Sequence, residues 1–194
     1  MKTTIKNYIV VALMLGTLLG YANESNTSFK SIDGKRVKVE FNAVKKGNTL
    51  TIKQRNGVIL YSSEIKNAGT FSKIFDLSAL TSGNYIAELE KDFEIIKKSF
   101  KVENGTVIFT SDDETEFKPV IRTQNELVLI SKISFSHKPV EVTIYYKDDV
   151  IYSETIVDTK EILNRVYKVS NEQKGTYRVV VNTNKKSYTQ DFKI

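Results

Sequence analysis

The 194-residue sequence has no cysteine and no tryptophan, one histidine and two prolines. Without cysteine there is no disulfide scaffold, no thiol nucleophile and no thiolate metal site, so the fold rests on burial and hydrogen bonding alone. The single histidine, His137 in "SFSHKPVEV", cannot build a multi-histidine metal site. No Gly-x-Ser-x-Gly context surrounds any serine, which leaves a Ser-His-Asp triad without its nucleophile elbow. Gly-rich phosphate loops, nucleotide fingerprints and basic-aromatic stripes are absent as well. His137 therefore reads as an ordinary loop histidine.

Long apolar runs are also scarce. The one present, Tyr8 to Leu19, follows the basic residues Lys2 and Lys6 and precedes the small residues Gly20 and Ala22. It is about a dozen residues long, short of the roughly 20 needed to span a bilayer. The pattern is that of a secretory signal peptide over residues 1–22, cleaved after Ala22, with no membrane insertion afterwards. No cysteine follows to carry a lipid. Two of the +6 formal charges belong to Lys2 and Lys6. The remainder is a mildly basic surface of interspersed signs, not a nucleic-acid footprint.

What the sequence does contain is alternation. "RVKVEFNA" sets Val37, Val39 and Phe41 on one side, and "NTLTIKQ" does the same with Leu50 and Ile52. "VILYSSEI", "NYIAELE" and "FEIIKKSFKV" continue a period of two, the mark of half-buried strands. The breaks are turn chemistry: Lys46-Gly47-Asn48, Asn56-Gly57, Ser82-Gly83-Asn84 and Asn104-Gly105. Asn56-Gly57 predicts a two-residue hairpin, because both residues tolerate positive φ. Only Thr159 to Val166 ("TKEILNRV") hints at a helical turn. The chain reads as all-β.

The alternating pattern is written twice. Leu77–Val102 aligns with Val169–Ile194 without a gap over 26 residues. Ser78/Ser170, Gly83/Gly175, Tyr85/Tyr177, Phe100/Phe192 and Lys101/Lys193 are identical. Ala87/Val179, Leu89/Val181, Ile96/Tyr188 and Val102/Ile194 keep the inward face. Upstream, "LTIKQRNGVILYSSEI" matches "VTIYYKDDVIYSETI" with one residue deleted, so that Tyr61 meets Tyr152 and Ile65 meets Ile156. Each copy is about 80 residues, the size of a small antiparallel sandwich of six or seven strands. In the shared Gly-x-Tyr element, glycine permits the turn and the tyrosine buries its ring while its hydroxyl reaches a backbone partner.

In the first copy "QRNGVILYSSEI", "FDLSALTSGNYIAEL" and "KKSFKV" resemble the C-terminal sorting domain of the Bacteroidota type IX secretion system. The element is Asp76, Leu77, Ser78, Leu80, Gly83 and Tyr85. The resemblance covers about 50 residues in each copy and implies a small Ig-like β-sandwich, related to fibronectin-III-like modules. In that family the sorting module ends a longer chain with a separate cargo domain, and here there is none. The terminal copy departs further, with "KVSNEQKGTY" in place of "DLSALTSGNY". The expected organisation is a signal peptide at 1–22, a first sandwich at 27–104 and a second at 105–194. Asn104-Gly105 marks the boundary, and "TVIFT" opens the second module.

Two clusters carry the remaining chemical options. Asp112, Asp113, Glu114 and Glu116 in "SDDETE" form the best cation candidate, since calcium favours converging carboxylates. The cluster lacks Asp-x-Asp-x-Asp-Gly spacing, and neighbours on an extended chain point opposite ways; it reads as a solvated linker. Tyr145, Tyr146 and Tyr152 offer a sugar-stacking platform, although alternation buries at most one of Tyr145 and Tyr146. No catalytic, cofactor or metal residue is assigned. The reading is an exported, non-enzymatic tandem of Ig-like β-sandwiches that acts on a protein or cell-surface partner, in the periplasm or outside the cell. The alternatives are a glycan-binding module, a type IX sorting or accessory protein, and a small hydrolase.

Overall fold

The computed structural model describes residues 27–110, 113–135, 137–157, 161–170 and 172–194; the leader at 1–22 lies outside them. Seven strands come first: β1 (Thr27–Ser31), β2 (Arg36–Val44), β3 (Thr49–Gln54), β4 (Ile59–Glu64), β5 (Gly69–Asp76), β6 (Gly83–Glu90) and β7 (Glu94–Glu103). Two short strands follow, β8 (Thr106–Phe109) and β9 (Glu114–Phe117). Seven more complete the chain: β10 (Val120–Gln124), β11 (Leu127–Ile133), β12 (Val140–Tyr146), β13 (Asp149–Ile156), β14 (Ile162–Lys168), β15 (Thr176–Thr183) and β16 (Lys186–Lys193).

The repeat is visible in the strand order. One sheet of the first half runs β1-β2-β5 and the facing sheet runs β4-β3-β6-β7; the second half has β10-β11-β14 and β13-β12-β15-β16. All pairings are antiparallel. A three-stranded and a four-stranded antiparallel sheet closing on one core is the β-sandwich that the period of two anticipates. Each half has its own apolar cluster. Val37, Val39, Phe41, Leu50, Leu89 and Val102 lie in the first, and Val128, Ile130, Val142, Ile144, Val179 and Val181 in the second.

Local detail repeats too. The β3–β4 ladder slips between Ile52 and Lys53, leaving Leu60 as the bulged residue, and β12–β13 slips between Ile144 and Tyr145, leaving Ile151. Tyr85 stacks on Phe100 at 5.4 Å and Tyr177 on Phe192 at 5.3 Å. The Tyr85 hydroxyl donates to the Thr81 carbonyl at 2.7 Å, and the Tyr177 hydroxyl to the Gln173 carbonyl at 2.8 Å. Both bonds tie a buried ring to the turn four residues upstream. The Asp76 element is likewise a turn device. Asp76 accepts from the Ser78 amide at 2.9 Å, Leu77 is buried, and Leu80 packs on the first core.

Several expectations are corrected. Asn56-Gly57 belongs to a three-residue loop, in which the Gly57 amide donates to Gln54 O at 2.9 Å and the Gln54 amide to Val58 O at 2.8 Å. Only Gly57, with φ 99°, takes the left-handed conformation there. The second copy closes the equivalent turn with Lys147 and Asp148 alone, which is where its deleted residue falls. A two-residue turn with both φ positive stands instead at Asn104 (50°) and Gly105 (73°), joining β7 to β8. Asn104-Gly105 is therefore a hairpin turn within the first half, not a boundary, and "TVIFT" does not open the second module: β8 pairs with β7. From Ile162 onward the helical hint is overturned, because β14 pairs with β11 over seven residues and alternates outward Ile162 with buried Leu163. Thr159 and Lys160 lie outside the described residues.

Candidate functional site

The residues picked from the sequence separate in space. The acidic run is a strand, not a linker: β9 lies antiparallel along the first part of β7, while β8 covers the rest. Asp113 meets Lys98 at 3.1 Å, Glu116 pairs with Lys97, and Glu114 stands opposite Lys97 in the ladder. Asp112 lies outside the described residues. The carboxylates thus face the lysines of "KKSF" rather than one another.

Glu116, 7% exposed, also accepts from the Asn184 side-chain amide at 2.9 Å. Asn184 belongs to the β15–β16 turn, so one carboxylate touches both halves. Burial works upward on the Glu116 pKa, but the bonds from Lys97 and Asn184 and the lysine charges outweigh it and hold the pKa low. Burial works downward on Lys97, and Glu116 more than reverses it. Lys132, buried on β11 with Ile133 O as acceptor, is pushed down by desolvation. At the same place Phe117 and Phe135 meet edge-on at 6.1 Å, and Tyr188 is pushed up to about 12 by burial and by Glu116, Glu90 and Glu88. This constellation joins the halves. Within it the Glu116 carboxylate is already engaged by Lys97 and Asn184.

The tyrosine cluster also divides. Tyr146 packs on Tyr177 at 5.0 Å and donates to Lys174 O at 3.0 Å, while Tyr145 stands on the other face opposite Arg178; both are half-buried. Tyr152 instead pairs with Tyr167 at 5.3 Å, across the gap between β13 and β14. Those are the free edges of the two sheets, and Glu154 joins them. It accepts from Tyr167 at 2.9 Å and Tyr152 at 3.3 Å, with the Arg165 guanidinium 3.7 Å away. Burial, then the Glu154 bond and charge, push the Tyr167 pKa well up. On the strands that bear this seam Val150 and Ile151 of β13 and Ile162 and Val166 of β14 stand exposed, as does Val157 just after β13, with Val157 at 70% and Ile162 at 63%. The first half has the same seam in other residues: Tyr61 meets Phe75 at 5.0 Å, and Lys73 donates to the Tyr61 hydroxyl at 2.7 Å. Residue types alone did not reveal the seam, because its cross-sheet partners are 11 to 15 positions apart; the period-two frame and the repeat together could have placed them. His137, at φ 49°, sits in the loop before β12.

No protein-family model and no curated protein matches the chain. Solved structures are alike in outline. A biofilm-associated protein BSP domain is 10% identical over 87% of this chain at TM-score 0.28, and this chain spans 29% of its length. The human OSCAR ligand-binding domain is 9% identical, covering 88% of this chain and 97% of its own, at TM-score 0.25. Dpr2 Ig1-Ig2, solved in complex with DIP-Theta Ig1-Ig3, is 14% identical, covering 87% and 64%, at TM-score 0.28. Such likenesses carry no functional argument, and the sandwich assignment rests on strand pairing.

Proposed function

We propose that the protein is an exported, non-enzymatic interaction module whose second half meets a protein or cell-surface partner through the β13–β14 seam. One observation carries this reading. Apolar side chains stand exposed on two adjacent free strand edges, around an aromatic pair fixed by Glu154. Exposed apolar side chains beside a polar-bonded aromatic pair are the kind of surface that interaction sites use. The signal-like pattern over 1–22 and the lack of cysteine support export. Among the described residues no helix is long and apolar enough to cross a membrane. The likeness of the Asp76–Tyr85 element to the type IX sorting module supports that lineage, although the motif's atoms are engaged in turn formation.

Val150→Lys and Val166→Lys place charge on the seam without touching either core. The expected outcome is that the protein leaves the cell-envelope fraction while its circular dichroism and melting point are kept. Unchanged association, or a hydrolytic activity surviving both changes, overturns the reading. Sugar binding is favoured by one feature, the half-open Tyr152 ring beside Glu154 and Arg165. A glycan array on the parent and on Tyr152→Ala separates it from protein binding.

A further inference from the structure

The free edge of β16 differs from its equivalent in a way that points to a second binding site. In the first half β7 is covered by β8 and β9. Val107 of β8 enters the first core, and Phe109 packs 5.9 Å from Phe29 and 6.4 Å from Phe100. Ile96, Phe100 and Val102 of β7 are accordingly 3%, 3% and 0% exposed. Their counterparts Tyr188, Phe192 and Ile194 are only half-buried, and among the described residues no strand pairs with the outer edge of β16. The backbone there is aligned to receive one. Ile194 exchanges both backbone bonds with Gly175, at 3.1 and 3.2 Å. Alternate residues of an antiparallel strand face opposite neighbours, so Thr189, Asp191 and Lys193 turn their N–H and C=O groups outward. Lys193 and Lys185 expose ammonium groups at the two ends of this edge, while Asp191 is tied to Arg178 at 2.8 Å.

We propose that the edge of β16 takes up an extended strand of a partner protein, apolar toward Phe192 and Ile194 and acidic toward Lys185 at the start of the strand. The chain supplies its own precedent: the segment covering β7 is apolar in "TVIF" and acidic in "DDETE", and its acids face Lys97 and Lys98. Strand addition draws affinity from main-chain bonds and specificity from alternate side chains. This goes beyond the seam reading, since it concerns another edge and names the chemistry of the partner.

The probe is a synthetic peptide of residues 105–117 added to the full isotope-labelled chain. The expected result is shifted and slowly exchanging amides at Thr189, Asp191 and Lys193, saturating by millimolar peptide. Lys193→Pro deletes one outward N–H and none of the bonds to β15, and weakens binding about tenfold. Lys185→Glu keeps every backbone donor of β16 and weakens binding through charge. A peptide with serine at positions 107 and 109 does not bind. Absence of shifts on β16, shifts confined to the first half, or indifference to both Lys193→Pro and Lys185→Glu overturns the proposal. Val150→Lys and Val166→Lys leave the titration unchanged, so the seam and the β16 edge can fail separately.

Discussion

The two halves share seven strands, one bulge and one buried tyrosine corner, yet they finish their cores by different means. The first continues past β7 and folds β8 and β9 onto the last edge, so that Phe100 and Val102 are sealed. The second leaves Phe192 and Ile194 half-open. The three-stranded sheets differ as well. Where β5 presents Thr70 and Ile74 outward, β14 presents Ile162 and Val166, and Ile162 stands beside exposed Ile133. Both copies expose apolar groups on these strands, Ile59, Leu60 and Ile74 in the first and Val150, Ile151 and Val166 in the second; they differ in whether the last strand edge is covered. The loss of burial confined to one copy is at Tyr188, Phe192 and Ile194, whose counterparts Ile96, Phe100 and Val102 are covered by β8 and β9.

The largest expected effects test whether the copies are energetically separate. Tyr85→Ala and Tyr177→Ala should each cost about 3–5 kcal/mol, the range for emptying a large aromatic site. Calorimetry should show the first change lowering one transition and the second the other. A single transition lowered equally by both would mean one shared core, and the comparison of halves would fail.

Next is the joint. Glu116→Ala removes one partner of a buried pair and leaves Lys97 without its main counter-charge, at a cost of about 3 kcal/mol. The Glu116 pKa lies below its ordinary value. Its contribution is therefore complete above the unfolded-state value, about 4.3, and disappears as pH falls through the lower folded value. Denaturant titrations of the parent should lose stability across that acid window, and Glu116→Gln should flatten the loss. An unaltered acid slope would remove the joint from the account.

Sealing itself can be measured. Phe100→Ala should cost more than Phe192→Ala by about 1–2 kcal/mol, because a fully buried aromatic loses more than a half-exposed one. Equal losses would erase the proposed asymmetry. The smallest effect should be symmetric. Tyr85→Phe and Tyr177→Phe each delete a hydroxyl bonded to the upstream turn and should cost about 1 kcal/mol in either half.

Much of the sandwich was legible because each strand wears its burial as alternation, as in Val37-x-Val39-x-Phe41. The duplicated Gly-x-Tyr element then placed Tyr85 and Tyr177 correctly as buried corners. Turn residues were less informative. Asn-Gly names a tight turn but neither its loop length nor its place in the fold, so Asn56-Gly57 took a longer loop than expected and Asn104-Gly105, read as a boundary, is a hairpin turn. The helical hint at "ILNRV" arose from a short run in which both periods fit, and pairing with β11 decided it. The acidic strand β9 was hidden because "DDETE" has the composition of a solvated linker. Its partner, "KK" at Lys97 and Lys98, was the available signal: a basic pair on an edge strand, with an acidic run close enough in sequence to fold back. The β13–β14 seam was harder still, since Tyr152, Glu154, Arg165 and Tyr167 meet only after two sheets are stacked.

Only Lys118 and Pro119 lie between β9 and β10. The Lys118 amide donates to Phe93 O at 2.9 Å, its ammonium meets Glu90 at 2.7 Å, and Pro119 restricts both residues. In mechanical terms the connection has no slack. Tension applied to the second half while it is bound reaches the four-residue ladder of β9 before it reaches the first core. β9 is then a fuse in series with two stronger springs: it gives way first, releases a short length of chain, and spares the sandwich on either side. In single-molecule pulling this would appear as a small early step ahead of two larger ones.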